Sequence, residues 1–248
     1  AAKDLYGVEL TAAQAGAVHE RDAAALLELA RTIDPSPLDQ PRHPGQRIGG
    51  RCNTYTLLTV ALLRAAGIPA RSRCGFGAYF VPGFYEDHWV AEYWDPEKRC
   101  WTMVDAQLDE TWQRTIGMNA GIPATVGPEQ FLTAGHAWQA WRAGQLDADR
   151  CGLTSIDEHG AFWIAGNLRL DLAALNKVEM LPWDVWGLGW EPPEQPTSEM
   201  LASFDAIAAL TVDPDHGLDD LLDRYESDPS FRMNGTVFSV ALGEHQQV

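Results

Sequence analysis

A cysteine, a histidine and an aspartate, met in that order along the chain, are the residues whose types and setting could do covalent chemistry: Cys52, His88 and Asp105. Cys52 opens the run GRCNTYTLLTVALLRAA (50–66), in which Leu57, Leu58, Ala61, Leu62 and Ala65 recur at helical offsets. A thiol in the first turn of a helix feels the positive end of the macrodipole, which favours the nucleophilic thiolate. The N–H groups of that turn have no intrahelical acceptor, so they can stabilise an oxyanion developing on an attacked carbonyl. A His–Asp pair completes the equipment: the carboxylate fixes the imidazole tautomer, and the imidazole activates the thiol and later protonates a leaving amine. Such a pair is legible here. HWVAEYW (88–94) and RCWTMVD (99–105) read as two strands joined by the loop 95–98. With Trp94 opposite Arg99, His88 falls opposite Asp105, and directly opposed residues share a face with Cβ atoms about 4.5–5.5 Å apart.

The elements that must carry these residues are also signalled. Gly67 suits the left-handed cap that ends the Cys52 helix, and Pro69 bars its continuation. Upstream, the Ala/Leu-rich stretch 11–33 predicts one helix, and DPSPLDQPRHPG (34–45), with four prolines in twelve residues, predicts an irregular linker. RSRCGFGAYF (71–80) reads as a strand and VPGFYED as the loop after it. Beyond residue 105 the signals turn helical: one helix from Pro128 (PEQFLTAGHAWQAWRAG), another over 167–177, and two more over 198–210 and 217–226. Between them, EMLPWDVWGLGWEPPEQPTSEM is expected to be irregular and to pack by its indoles. The tail has a turn at Asn234-Gly235 and one strand, TVFSVAL.

The stretch GGRCNTYTLLTVALLRAAGIPARSRCGFGAYF, followed by DHWVAEYWDPEKRCWTMVDAQLD, resembles the transglutaminase-like superfamily of papain-like cysteine enzymes. The resemblance rests on a Gly-x-Cys helix start, the helix end Arg64-Ala-Ala-Gly-Ile-Pro-Ala-Arg71, His-Trp-Val-x-x-Tyr from His88, and Trp-x-x-Val-Asp ending at Asp105. It covers residues 45–110, and Cys52, His88 and Asp105 match the triad positions one for one. GHAWQAWRAG and GNLRLDLAALNKVEMLPWDVW are similar to the C-terminal extension of many bacterial members. The resemblance implies an α+β fold: a Cys-bearing helix packed on an antiparallel sheet, with N- and C-terminal helical extensions. It implies an N-terminal helical segment (1–41), a catalytic core (42–125) and a mostly helical, Trp-rich extension packed on the core (126–248). It implies a thioester acyl-enzyme, formed on an amide or thioester substrate and resolved by water or by an amine, with no cofactor and no metal. Superfamily members that have lost catalysis make a binding or scaffold protein the alternative. Gln46, six residues before Cys52, stands where papain-like proteases place an oxyanion donor beside the Cys52 backbone N–H; a polar loop residue is the other reading.

Composition narrows the partners. The 248 residues, 46% hydrophobic and 21% charged, exclude a wholly disordered chain. A formal charge of −17 argues against general binding to nucleic acid or to an anionic membrane. There is no apolar run of about 18 residues and no leader pattern in AAKDLYGVEL. From Gln40 to Tyr85 there is no Asp or Glu, yet there are six Arg: 42, 47, 51, 64, 71 and 73. This segment reads either as an accident of composition, with some Arg pairing distant acids, or as a cationic rim. On the second reading Arg47 and Arg51, nearest Cys52, select a small anionic acyl or peptide substrate in preference to an acidic carrier protein. Cys74, Cys100 and Cys151 are expected to be inert, the first two as core fillers, and four unpaired thiols suit a reducing cytoplasm. Arg outnumbers Lys 15 to 3, the bias of a GC-rich bacterial genome. Asp147, Asp149, Gly152 and Glu158 fit a calcium-loop template except that Cys151 stands where an oxygen ligand is wanted, so a turn is expected there.

Overall fold

The computed structural model describes residues 2–118, 124–190 and 195–248. Its helices are α1 (Ala2–Tyr6), α2 (Ala12–Gly16), α3 (Ala23–Ile33), α4 (Cys52–Ala65), α5 (Glu110–Thr115), α6 (Ala134–Arg142), α7 (Ala161–Leu175), α8 (Ser198–Val212) and α9 (Leu218–Ser227). Its strands are β1 (Ala70–Gly77), β2 (Tyr85–Asp95), β3 (Cys100–Val104), β4 (Thr125–Val126), β5 (Phe131–Thr133), β6 (Cys151–Leu153), β7 (Glu158–His159), β8 (Asp184–Val185), β9 (Thr236–Ser239) and β10 (Glu244–Gln247). The chain forms two compact units, Ala1–Ala70 with Val90–Thr125 and Arg71–Trp89 with Val126–Val248.

The first unit is built around α4. Arg51 donates its backbone N–H to Thr54 Oγ1 (3.2 Å) at the helix start. At the other end Gly67 takes the left-handed conformation, φ +77°, that the sequence predicts. One side of α4, through Val60 and Leu63, packs on Ala70, Ala91, Tyr93 and Val104, so the helix lies on the β2–β3 ribbon. Leu57 and Leu58 meet Ala17, Leu26, Leu29 and Ile48 of the N-terminal region. The fold is therefore α+β, with the cysteine-bearing helix on antiparallel strands, as expected.

Two expectations in this unit need correction. The stretch 11–33 is three pieces, α2, a 3₁₀ turn Ala17–His19 and α3. The break falls where Glu20 Oε1 accepts the N–H groups of Arg21 and Asp22 while Asp22 caps Ala24, satisfying locally the donors a continuous helix would use. The hairpin register is also shifted. Asp95 pairs with Cys100, Trp94 with Trp101 and Ala91 with Val104, so the loop is 96–99. Asp95 Oδ1 accepts from Glu97 and Lys98 N–H, and Arg99 adopts φ +54°, which takes it out of the ladder. Extending the register sets Asp105 level with Val90, two residues from the predicted position at His88.

In the second unit β1 lies between β2 and β5, while β6 pairs parallel with the start of β2 and antiparallel with β7. A Cβ at Gly75 would run into the Leu132 carbonyl, so only glycine allows this approach of β1 and β5. The predicted strand 71–80 ends at Gly77, because the rings of Tyr79 and Phe80 fold back to within 3.2 Å of where a Gly77 Cβ would sit. The predicted helix from Pro128 is instead a turn and β5 before α6 begins at Ala134; the turn is closed by Gln130 and Phe131 N–H on the Gly127 carbonyl. Helix α7 starts earlier than expected, at Ala161, and the tail forms two strands, not one, in the sheet β10-β9-β8. The Trp-rich stretch 179–200 contains only β8 and the start of α8 among its described residues; 191–194 lie outside them. Asp147 Oδ1 accepts Asp149 N–H to start a 3₁₀ turn before β6, so the stretch 147–158 is a turn and hairpin. Among the described residues no helix is long and apolar enough to cross a membrane, and no three His, Cys, Asp or Glu gather as a metal would need.

Candidate active site

Cys52 is the first residue of α4 and is partly exposed. The loop that delivers it is clamped from α2. Gln14, buried, donates through Nε2 to the carbonyls of Gly45 (2.9 Å) and Arg47 (2.8 Å), while its Oε1 accepts from Thr11 N–H. The Gly49 N–H donates back to the Gln14 carbonyl (2.9 Å), an approach that a Cβ on Gly49 would block. Gln46 closes the 3₁₀ turn Pro44–Gln46 with its side chain exposed. Arg51 is the residue that caps α4.

Asp105 directly follows β3 and is buried. Its Oδ1 accepts the Gln107 N–H (2.9 Å) and its own N–H donates to the Ala124 carbonyl (2.9 Å), so both backbone and carboxylate are held. Cys52 and Asp105 belong to the first unit and His88 to the second.

His88 is buried within β2, in an aromatic cage that the sequence does not announce. Phe80 (4.7 Å between centroids), Tyr79 (5.9 Å) and Phe131 (6.4 Å) all meet the imidazole edge-to-face. Such packing fixes the ring plane and keeps water from it. The signal for it was the aromatic string GAYFVPGFY, read as strand and loop. Next to His88, the carboxyl of Asp87 accepts from Asn167 Nδ2 (3.0 Å), and burial pushes it up to about 6.

Two buried polar atoms next in sequence to these residues have no hydrogen-bond partner among the described residues: Asn53 Oδ1, beside Cys52, and Trp89 Nε1, beside His88. The remaining cysteines divide. Cys74 is buried as expected; Cys151 is buried too, and burial pushes its thiol up to about 12. Cys100 is exposed rather than a core filler, because it is the first residue after the hairpin loop. None of the four cysteines takes part in a disulfide.

The six arginines of the acid-free segment also divide. Arg73 makes a buried bidentate pair with Asp171, Arg71 pairs with Asp215 (2.7 Å), and Arg42 lies 3.8 Å from Asp34. Half of the supposed cationic rim is thus tied to acids elsewhere. Arg47 is different. It lies with Tyr6, Tyr55 and Asp109 in the first unit, a cluster that sequence reasoning missed because its members come from four separate segments.

Residues 23–106 match the family model described as the transglutaminase-like superfamily. That segment contains Cys52, His88 and Asp105. No curated protein and no solved structure matches the chain.

Proposed function

We propose that the protein is a cysteine-dependent acyl-transfer enzyme in which Cys52 is the nucleophile, His88 the general base and acid, and Asp105 the residue that orients the imidazole. The observation that carries this reading is the position of a partly exposed Cys52 as the first residue of a 14-residue helix, inside the transglutaminase-like segment. In the reaction the Cys52 sulfur attacks the substrate carbonyl carbon and the first-turn N–H groups of α4 stabilise the oxyanion. His88 protonates the departing nitrogen of an amide, leaving a thioester. Water or an amine, deprotonated by the same imidazole, then attacks the thioester and releases Cys52. Four cysteines outside any disulfide fit a reducing cytoplasm as the place of action.

Alkylation and adduct analysis test this. Iodoacetamide should label native Cys52 and the exposed Cys100, and label Cys74 and Cys151 only after unfolding. His88→Ala should slow labelling at Cys52 about tenfold without altering the rate at Cys100. Incubation with cell lysate should leave a hydroxylamine-labile acyl mass on Cys52, absent from Cys52→Ala. A His88→Ala protein whose Cys52 labels at the wild-type rate, together with full cellular function in Cys52→Ala, would overturn the enzyme and leave a binding protein.

A further inference from the structure

The cluster around Arg47 is built in a way that a surface arginine is not. Its backbone carbonyl is held by buried Gln14, its Nε donates to the Arg42 carbonyl (3.1 Å), and its guanidinium lies over the Tyr6 ring, 5.8 Å from the centroid. These contacts fix the stem and the plane of the side chain. They leave its two terminal nitrogens, with no partner among the described residues, on an exposed residue. The acid of this cluster, Asp109, does not neutralise them by an ion pair. Asp109 spends Oδ1 on the N–H groups of Thr111 (3.0 Å) and Trp112 (2.9 Å), and Oδ2 on the Tyr6 hydroxyl (2.9 Å).

Tyr55 connects this fork to the nucleophile. It lies one turn after Cys52 on α4, and helical side chains lean toward the N-terminus. A Cβ on Gly50 would stand 3.3 Å from the Tyr55 ring, so the ring lies back over the backbone two residues before Cys52. Burial raises the Tyr55 hydroxyl, the charge of Asp109 adds to this and Arg47 opposes it.

We infer that Arg47, seated over Tyr6, is a recognition fork for an anionic group, carboxylate or phosphate, on the acyl substrate of Cys52. A guanidinium presenting two parallel N–H donors matches either oxyanion bidentately. This rests on Cys52 being the nucleophile and names the class of substrate that the nucleophile takes.

Two alkylating probes of equal size test it, one anionic and one neutral. In each case the Cys52 thiolate forms a bond to the probe's CH₂ carbon as the carbon–iodine bond breaks, giving a carboxymethyl or carbamoylmethyl thioether and iodide. In Arg47→Gln the rate ratio of iodoacetate to iodoacetamide at Cys52 should fall about fivefold, with the iodoacetamide rate nearly unchanged. Arg47→Lys, which keeps the charge and loses the fork, should fall part of the way. Arg64→Gln, the same change of charge at the far end of α4, should leave the ratio alone. Succinate and inorganic phosphate, each as a competitor against iodoacetamide, distinguish the two anions, the better protector naming the group. An unchanged ratio in Arg47→Gln, an equal fall in Arg64→Gln, or protection by neither anion overturns the fork while Cys52 still labels normally. A Cys52 that iodoacetamide does not reach in the native protein overturns the nucleophile itself.

Discussion

Asp87 shows how one half-buried group can set the pH dependence of the fold. Burial is the largest influence on its carboxyl, raising it to about 6 against the lowering effect of the Asn167 hydrogen bond. A raised carboxyl pKa means that the folded chain keeps a proton the unfolded chain has already lost between about pH 4 and pH 6. Stability therefore falls as pH rises through that window, by at most roughly 3 kcal/mol. Asp87→Asn keeps an acceptor for Asn167 and removes the charge. It should gain about 1–3 kcal/mol at pH 7.5 and next to nothing at pH 4, measured by urea unfolding at both values. An Asn variant with equal effects at the two pH values would show that the carboxylate is better satisfied than its surroundings indicate. His88 is the next residue on the strand, so the same variant also reports whether the aromatic cage tolerates a neutral neighbour.

Among the elements, β1, α7 and α8 are tied by one ion pair rather than by apolar packing alone. Arg73 donates to both oxygens of Asp171 (3.0 and 2.9 Å) and to the Thr211 carbonyl (2.8 Å), and Asp171 also accepts the Cys74 N–H (2.8 Å). Both side chains are essentially dry, at 3% and 0% exposure, so removing either partner strands a charge. Arg73→Met should cost about 3–5 kcal/mol, whereas Arg73→Met with Asp171→Leu should recover much of it, because the two desolvation penalties vanish together. Chemical denaturation of the two single variants and the double variant checks this; an additive double variant would mean that the pair contributes through packing. Arg169 on α7 is a second case. It donates to the carbonyls of Trp186 (2.8 Å) and Leu188 (2.9 Å) and lies over the Trp186 ring, which pins the Trp-rich segment to the helix. Burial alone brings this guanidinium down to about 10, still well above neutral pH, so it remains charged where it works.

At the scale of the whole molecule, 35 acidic against 18 basic residues leave a surplus of negative charge that the exposed ion pairs cannot absorb. Screening weakens both the repulsion and surface pairs such as Lys3–Glu9, but exposed pairs contribute at most about 1 kcal/mol each. Repulsion wins, so raising NaCl from about 20 to about 500 mM should raise Tm by a few degrees, and a fall would place the balance with the ion pairs. What the sequence determined by itself is local: α4 with Cys52 at its start and Gly67 at its end, strands β2 and β3, and the motifs within the segment that matches the transglutaminase-like family model. Those follow from backbone preferences and spacings that act over a few residues. The tertiary structure decided where local signals compete or distant groups meet. Arg99 in the left-handed region moved the hairpin register, the cross-strand approach at Gly75 made residues 131–133 a strand, and Arg73 and Arg71 became partners of Asp171 and Asp215. The Arg47 cluster likewise draws on α1, the loop before α4, α4 itself and the cap of α5. A charged or aromatic side chain has the same local preferences whichever partner it finds, so the partner is chosen by the chain's return path and not by the residues beside it in sequence.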